Sequence, residues 1–123
     1  VAYLPEEGGT IEVWGDGLQT RSFLYIDECI EATRRLIDSD FIGPVNIGSE
    51  EMVTINQLVE TAAKVSGKVV QKTYIDGPLG VRGRNSNNDL IRKELGWDYS
   101  QTLEEGIRKT YNWIVEQIGI KDQ

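Results

Sequence analysis

Arginine is the residue type whose setting in this sequence suggests chemistry. In the stretch Trp14-Gly15-Asp16-Gly17-Leu18-Gln19-Thr20-Arg21-Ser22-Phe23-Leu24-Tyr25-Ile26-Asp27-Glu28, a glycine-turned polar run delivers Arg21 directly ahead of an apolar, strand-like segment. A guanidinium on a stiff backbone matches phosphate oxygens two at a time, and a charge-assisted bond contributes about 1.5–3 kcal/mol net. Gln19 and Thr20 stand beside it as neutral donors. A second basic segment, Arg82-Gly83-Arg84, ends the glycine-punctuated loop Asp76–Arg84, where Gly80 and Gly83 let the backbone approach a ligand closely. Two such loops clamp a diphosphate if the fold brings them together, which spacing alone does not decide. The alternative is ordinary surface pairing, with Arg21 against Asp16, Asp27 or Glu28 and the loop arginines solvated.

Other chemistries are excluded or weakly supported. The sequence has no histidine, which removes Ser-His-Asp and Cys-His constellations and every histidine-based metal site. Gly15-Asp16-Gly17-Leu18-Gln19-Thr20 begins like a dinucleotide fingerprint, yet threonine replaces the third glycine and no helix pattern opens there. A short-chain-reductase Tyr-x-x-x-Lys pair is absent, because Tyr3, Tyr25, Tyr74, Tyr99 and Tyr111 are followed at the fourth position by Glu7, Cys29, Pro78, Leu103 and Val115. The acidic pairs Glu6-Glu7, Glu50-Glu51 and Glu104-Glu105 read as solvated surface or helix starts. Cys29 lies among helical apolar neighbours and reads as a small core residue rather than a nucleophile. Trp97 and Trp113 read as packing aromatics, while Trp14 faces either a base or the core. No catalytic, metal-ligating or cofactor-binding residue is assigned.

The elements that must position the arginines follow from periodicity. Residues 1–9 read as a loose lead-in, Ile11–Trp14 as a strand, Gly15–Gly17 as a turn, and Arg21–Ile26 as a second extended segment. Asp27 is expected to cap a helix through Ile37 with Ile26, Ile30, Thr33 and Ile37 as its apolar stripe. Pro44–Gly48 reads as a short buried strand. Thr54 and Gln57 form a capping box for a helix that stops at Gly67, and Val69–Ile75 alternates like a strand. Ser86 is expected to open a helix to Leu95. Thr102 and Glu105 cap a last helix with Leu103, Ile107, Tyr111, Ile114 and Ile118 on one face. The fold class is mixed α/β, with short strands and about four helices in one unit spanning residues 1–123.

Composition sets the frame. The 123 residues carry a net charge of −7, which argues against a nucleic-acid partner. No apolar run approaches the roughly 20 residues of a membrane span, so no membrane partner is expected. The single Cys29 rules out an intrachain disulfide and, with no leader visible, suggests a cytoplasmic setting. A start at Val1 rather than methionine suggests a piece of something longer.

Four strings carry a resemblance beyond these patterns. Trp14 to Glu28, Pro44-Val45-Asn46-Ile47-Gly48-Ser49, Gly80-Val81-Arg82-Gly83-Arg84-Asn85-Ser86 and Leu95-Gly96-Trp97 occur in the order seen in extended short-chain dehydrogenase/reductases acting on nucleotide sugars. The likeness covers about residues 11–117. It implies an enzyme with an N-terminal Rossmann lobe that binds NAD and a smaller C-terminal lobe that holds the nucleotide-diphosphate sugar. This chain is similar to the second lobe alone. Carried over by position, Gln19, Thr20 and Arg21 contact the nucleotide-diphosphate, Arg84 grips the diphosphate from the other side, and Arg82 is a further candidate. The resemblance also implies that Val45–Ile47 completes a sheet of the other lobe. The tyrosine–lysine and cysteine–lysine chemistry then lies outside this chain, and Cys29 does not occupy the catalytic cysteine's position. Epimerases, dehydratases and decarboxylases of the superfamily share looser versions of these strings. A stand-alone nucleotide-binding or interaction module is the competing class, and exposed apolar faces would favour a homo-oligomer.

Overall fold

The computed structural model describes residues 1–121. Among them, four strands and four helices follow in the order β1 (Gly9–Trp14), β2 (Thr20–Ser22), α1 (Ile26–Ile37), β3 (Met52–Thr54), α2 (Ile55–Ser66), β4 (Val70–Ile75), α3 (Asp89–Leu95) and α4 (Leu103–Lys121). The α/β class and the helix count expected from the sequence are those observed. β1 and β4 form a parallel pair, with Gly9 opposite Val70 and Trp14 opposite Ile75. β2 and β3 form a separate antiparallel pair with Arg21 opposite Val53. This second ribbon carries the site.

The capping signals explain where α2 and α4 begin. The Gln57 amide donates to Thr54 Oγ1 at 3.1 Å, while Gln57 Oε1 accepts from the Thr54 amide at 2.8 Å. Thr102 and Glu105 repeat the reciprocal arrangement ahead of α4, satisfying amides that have no partner inside the helix. α2 stops at Gly67, whose φ of 71° is a left-handed conformation that glycine adopts without steric cost. α2 then packs against α4. Phe23, Tyr25, Leu58, Ala62, Ile107 and Tyr111 line an apolar groove of about 500 Å³ beside that contact.

Several elements differ from the sequence-based expectation. α1 starts at Ile26 with Tyr25 in the capping position, so Asp27 lies in the first turn, where its charge faces the positive end of the helix dipole. The apolar stripe of α1 is not buried: Ile26, Ile30 and Ile37 are 58%, 57% and 75% exposed. The buried side is instead the narrow strip of Glu28 and Ala32. α3 starts at Asp89 rather than at Ser86. Its capping residue, Asn88, makes no capping bond with its side chain, because that amide is committed to Ser86 and Gly48. Arg21–Ile26 forms a ladder only as far as Ser22. Val45–Ile47 has no ladder partner among the described residues, although Val45 and Ile47 pack on the core and Asn46 between them is exposed. Trp113, expected to pack, is 60% exposed, since it falls outside the Leu103–Ile107–Tyr111–Ile114 stripe of α4.

The core is correspondingly small. Ala32, Ile91 and Trp97 form its centre, with Leu24, Val45, Ile47, Leu95 and Tyr99 packed around them. Glu28 fastens α1 to the segment that leads into α4. Its Oε1 accepts from the Ser100 amide at 2.6 Å, the Ser100 hydroxyl at 2.7 Å and the Gln101 amide at 3.1 Å. Truncation at Glu28 therefore strands three donors in a partly buried setting. Glu28→Ala is expected to lower unfolding free energy by about 2–3 kcal/mol, and urea denaturation at neutral pH checks it.

Candidate functional site

The site begins at one residue. The Thr20 amide donates to the Arg82 carbonyl at 2.9 Å, and the Thr20 carbonyl accepts from the Arg84 amide at 3.3 Å. The result is a parallel bridge between Thr20 and Gly83. Arg21 Nη1 donates to that same Thr20 carbonyl at 2.7 Å. Two segments more than sixty residues apart in sequence therefore meet at one carbonyl oxygen, bringing Arg21 and Arg84 to a common place. A Cβ built on Gly83 would stand 2.9 Å from Thr20 Oγ1, so this glycine serves the approach of the two segments to each other.

Arg21 and Arg84 both line a cavity of about 310 Å³. Ser22, Asn46, Ser49, Asn85 and Ser86 also line it. No carboxylate lines it. Neither arginine is ion-paired among the described residues, and the partners considered for Arg21 are otherwise engaged or apart. Asp16 holds Arg82 through two bonds of 3.1 Å, and Glu28 holds Ser100 and Gln101. In a chain of net charge −7, two guanidinium groups lining one carboxylate-free cavity concentrate positive charge there.

Sequence-assigned residues divide around this cavity. Arg21 and Arg84 are on it, and Thr20 joins the segments that carry them. Arg82 is not on it: the Asp16 pair draws its guanidinium to the Gly15–Gly17 turn and fixes the loop from behind. That pairing holds the Asp16 carboxyl below its ordinary range and raises the Arg82 guanidinium above its own. Gln19 is also turned away. It is buried, its Nε2 donates to the Trp14 carbonyl at 3.2 Å, and its backbone carbonyl accepts from the Ile55 amide at 3.1 Å. The Gly15–Gly17 turn leads into strand β2 rather than a helix, so it does not supply the helix N-terminus that a dinucleotide pyrophosphate needs. Asn46, Ser49, Asn85 and Ser86 were not singled out by residue type. Their signal was positional, since they fall inside the two strings that flank the arginines.

Behind the wall lies a charged brace. Arg92 Nη2 and Nη1 meet Glu50 Oε2 and Oε1 at 2.5 and 3.1 Å, and Arg92 Nε reaches Asp98 Oδ2 at 3.0 Å. Arg92 is thereby raised, first by Glu50 and then by Asp98, and Glu50 is held below its ordinary value by Arg92 and the Asn88 amide.

The mixed α/β lobe has counterparts among solved structures. The fold superposes on UDP-glucose 4-epimerase of Thermotoga maritima, solved with UDP-glucose, with a TM-score of 0.84 at 24% identity over 89% of this chain and 36% of that one. It also superposes on UDP-glucuronic acid 4-epimerase of Bacillus cereus, solved with UDP-glucuronic acid and NAD, with a TM-score of 0.80 at 27% identity over 89% and 36%. The chain belongs to the extended short-chain dehydrogenase/reductase family and corresponds to a C-terminal part of its members.

Within that family, GDP-mannose 3,5-epimerase of Arabidopsis thaliana is 56% identical over 107 residues, which are 87% of this chain and 28% of the relative. UDP-glucuronic acid decarboxylase 6 of Arabidopsis thaliana is 32% identical over 81% of the chain and 29% of the relative. UDP-glucuronate 4-epimerase of Thermodesulfobacterium geofontis is 29% identical over 88% and 34%. The chain thus spans about a third or less of the length of these relatives. No protein-family model matches it.

The brace predicts a pH dependence. The Glu50 carboxyl is held below its ordinary value of 4.5, so the unfolded chain binds the proton more tightly there than the folded one. The stabilisation is complete above pH 4.5 and is lost as pH falls through the lowered folded value. Glu50→Gln is expected to lower the urea midpoint at neutral pH, and the gap to the natural chain should close as the pH drops below that range. A gap of constant size from neutral to strongly acid pH would show that the Glu50–Arg92 pair does not act through its charge.

Proposed function

We propose that residues 1–123 form the nucleotide-sugar-holding lobe of an NAD-dependent epimerase of the GDP-mannose 3,5-epimerase type. Arg21 and Arg84 grip the diphosphate from two sides, and Thr20 holds the two segments in place. Gln19 and Arg82 support the site from behind, through Trp14 and Asp16 respectively. The observation that carries this reading is the pair of guanidinium groups, without carboxylate partners among the described residues, on one carboxylate-free cavity. The 56% identity to the Arabidopsis epimerase favours a GDP-sugar over other nucleotide sugars.

On this reading, the parent enzyme has a Rossmann lobe outside this chain. That lobe covers the exposed isoleucine face of α1 and supplies a sheet edge for the unpaired Val45–Ile47 segment. NAD is held there and supplies oxidation and re-reduction of the sugar, while the exchange of protons at C3 and C5 uses residues also outside this chain. What this lobe contributes is binding energy remote from the reacting carbons, which fixes the sugar relative to the chemistry. A cytoplasmic setting accords with the single free cysteine and with the lack of any described helix long and apolar enough to cross a membrane. The second reading, a UDP-sugar 4-epimerase or decarboxylase, draws on the more distant relatives.

Calorimetric titration with GDP, GDP-mannose and UDP-glucose separates these readings. GDP and GDP-mannose are expected to bind more tightly than UDP-glucose. Arg21→Ala and Arg84→Ala should each weaken GDP binding about 10- to 100-fold. Preference for UDP-glucose would favour the second reading, and unchanged affinity in both variants would rule out the diphosphate assignment.

A further inference from the structure

The loop that carries Arg84 is anchored upstream by Thr20, but an anchor at one end does not fix a guanidinium. The structure assigns the downstream anchor to Asn88: we infer that it is a positioning residue that sets the width of the cavity and the stance of Arg84. This inference rests on the diphosphate reading above and adds to it a residue that does not line the cavity.

Asn88 is completely buried. Its Oδ1 accepts from the Ser86 hydroxyl at 2.6 Å, and its Nδ2 donates to the Gly48 carbonyl at 2.8 Å. Ser86 belongs to the stretch of the cavity wall that runs on from Arg84, and Gly48 belongs to the adjoining stretch beside Ser49. One planar amide therefore spans both stretches, donating to one and accepting from the other. No other side chain of similar size offers both functions from one rigid plane.

The walls also meet without slack. A Cβ on Gly48 would stand 2.7 Å from the Ser86 Cβ and 2.8 Å from its hydroxyl, closer than real side chains pack. Asn88 is itself held by its backbone amide, which donates to Glu50 Oε1 at 3.0 Å, and Glu50 is fixed in turn by Arg92. Asn85 Oδ1 accepts from the Ser86 amide at 2.8 Å and stiffens the link back to Arg84. Arg84 thus lies four residues from Asn88, between two tethers on an otherwise exposed glycine loop. Cutting the downstream tether returns conformational freedom to the loop, and binding must then order it again.

The substitutions separate the two ends of the amide. Asn88→Asp keeps the acceptor for Ser86 but sets a carboxylate oxygen against the Gly48 carbonyl. Ser86→Ala removes the other bond and leaves Asn88 in place. Gly48→Ala pushes the walls apart with both bonds chemically available. Each is expected to weaken GDP binding roughly tenfold at a temperature well below its own melting point. The effect should be transmitted through Arg84, so Asn88→Asp or Ser86→Ala added to Arg84→Ala should weaken binding by less than about twofold further. A residue that merely stabilises the fold would lower the melting temperature and leave affinity unchanged, or would act additively with Arg84→Ala.

The experiment is calorimetric titration of the full 123-residue chain and its variants with GDP, with melting followed in parallel. Should Asn88→Asp fail to fold, Ser86→Ala and Gly48→Ala carry the test. Loss of affinity that vanishes in the Arg84→Ala background supports the inference. Unchanged affinity, or additive loss, overturns it while Arg21 and Arg84 still matter for binding. If the natural chain itself does not bind GDP, the diphosphate reading falls, and the inference with it.

Discussion

The structure of the site depends on a single carbonyl oxygen. Thr20 accepts both the Arg84 amide and the Arg21 guanidinium, so the first strand of the ribbon and the far end of the glycine loop are held together there. Backbone bonds of this kind tolerate changes of side chain but not of register, because a one-residue slip would turn Arg21 to the other face of the ribbon. β2 is only three residues long and offers little register of its own. Its position is fixed instead by what lies at its borders: the Gly15–Gly17 turn before it, the β3 ladder beside it, and the loop bridge at Thr20. A short strand becomes a rigid platform because neighbours on three sides specify it.

Electrostatics complete what geometry begins. Acidic residues outnumber basic ones, 20 to 13, so an arginine without an acidic partner needs explanation. Two nearby carboxylates are neutralised locally, Asp16 by Arg82 and Glu50 by Arg92. These pairs are partly exposed and contribute little to stability individually. Their larger consequence is to withdraw negative charge from the neighbourhood of the cavity, which on the proposed reading leaves Arg21 and Arg84 to meet an anion without competition. Arg82 and Arg92 are engaged with these carboxylates rather than lining the cavity.

How legible this was in the sequence depended on whether a signal was local. The caps of α2 and α4 are exchanges between residues three apart, and the starts of those helices followed from them. Arg21 and Arg84 were also visible, because guanidinium groups beside glycine turns in an acidic chain stand out. Their convergence was not visible, since it rests on a backbone bridge across more than sixty residues. Asn88 escaped notice for a related reason. Ser86 looked like the start of α3, but its hydroxyl donates to Asn88 and the helix begins later. The stripe on α1 was legible as apolar; that its isoleucines stay largely exposed was not. Periodicity reports that a helix has an apolar face, and says nothing about whether the partner for that face lies in the same chain.

That last point bears on how the lobe works. Buried apolar side chains among the described residues are few, Val13, Ala32, Ile91 and Trp97, while Ile26, Ile30, Ile37 and Ile42 stay largely exposed. Polar fastenings carry much of the internal order: Glu28 to Ser100 and Gln101, Asn88 between the walls, and Arg92 between Glu50 and Asp98. Directional bonds of this type fix angles and distances more sharply than area burial does. On the proposed reading, a part that holds a diphosphate at a set distance from chemistry performed elsewhere benefits from this balance. Its site is kept rigid by hydrogen bonds from within, and its apolar surface remains for the body that, on the proposed reading, carries the reacting groups. On that reading, position of the phosphate clamp and docking of the lobe reside in separate elements, the β2 ribbon and α1, which follow one another through Phe23–Tyr25. Error in either would be felt at the sugar as a displacement, and displacements of about 1 Å are enough to impair such catalysis.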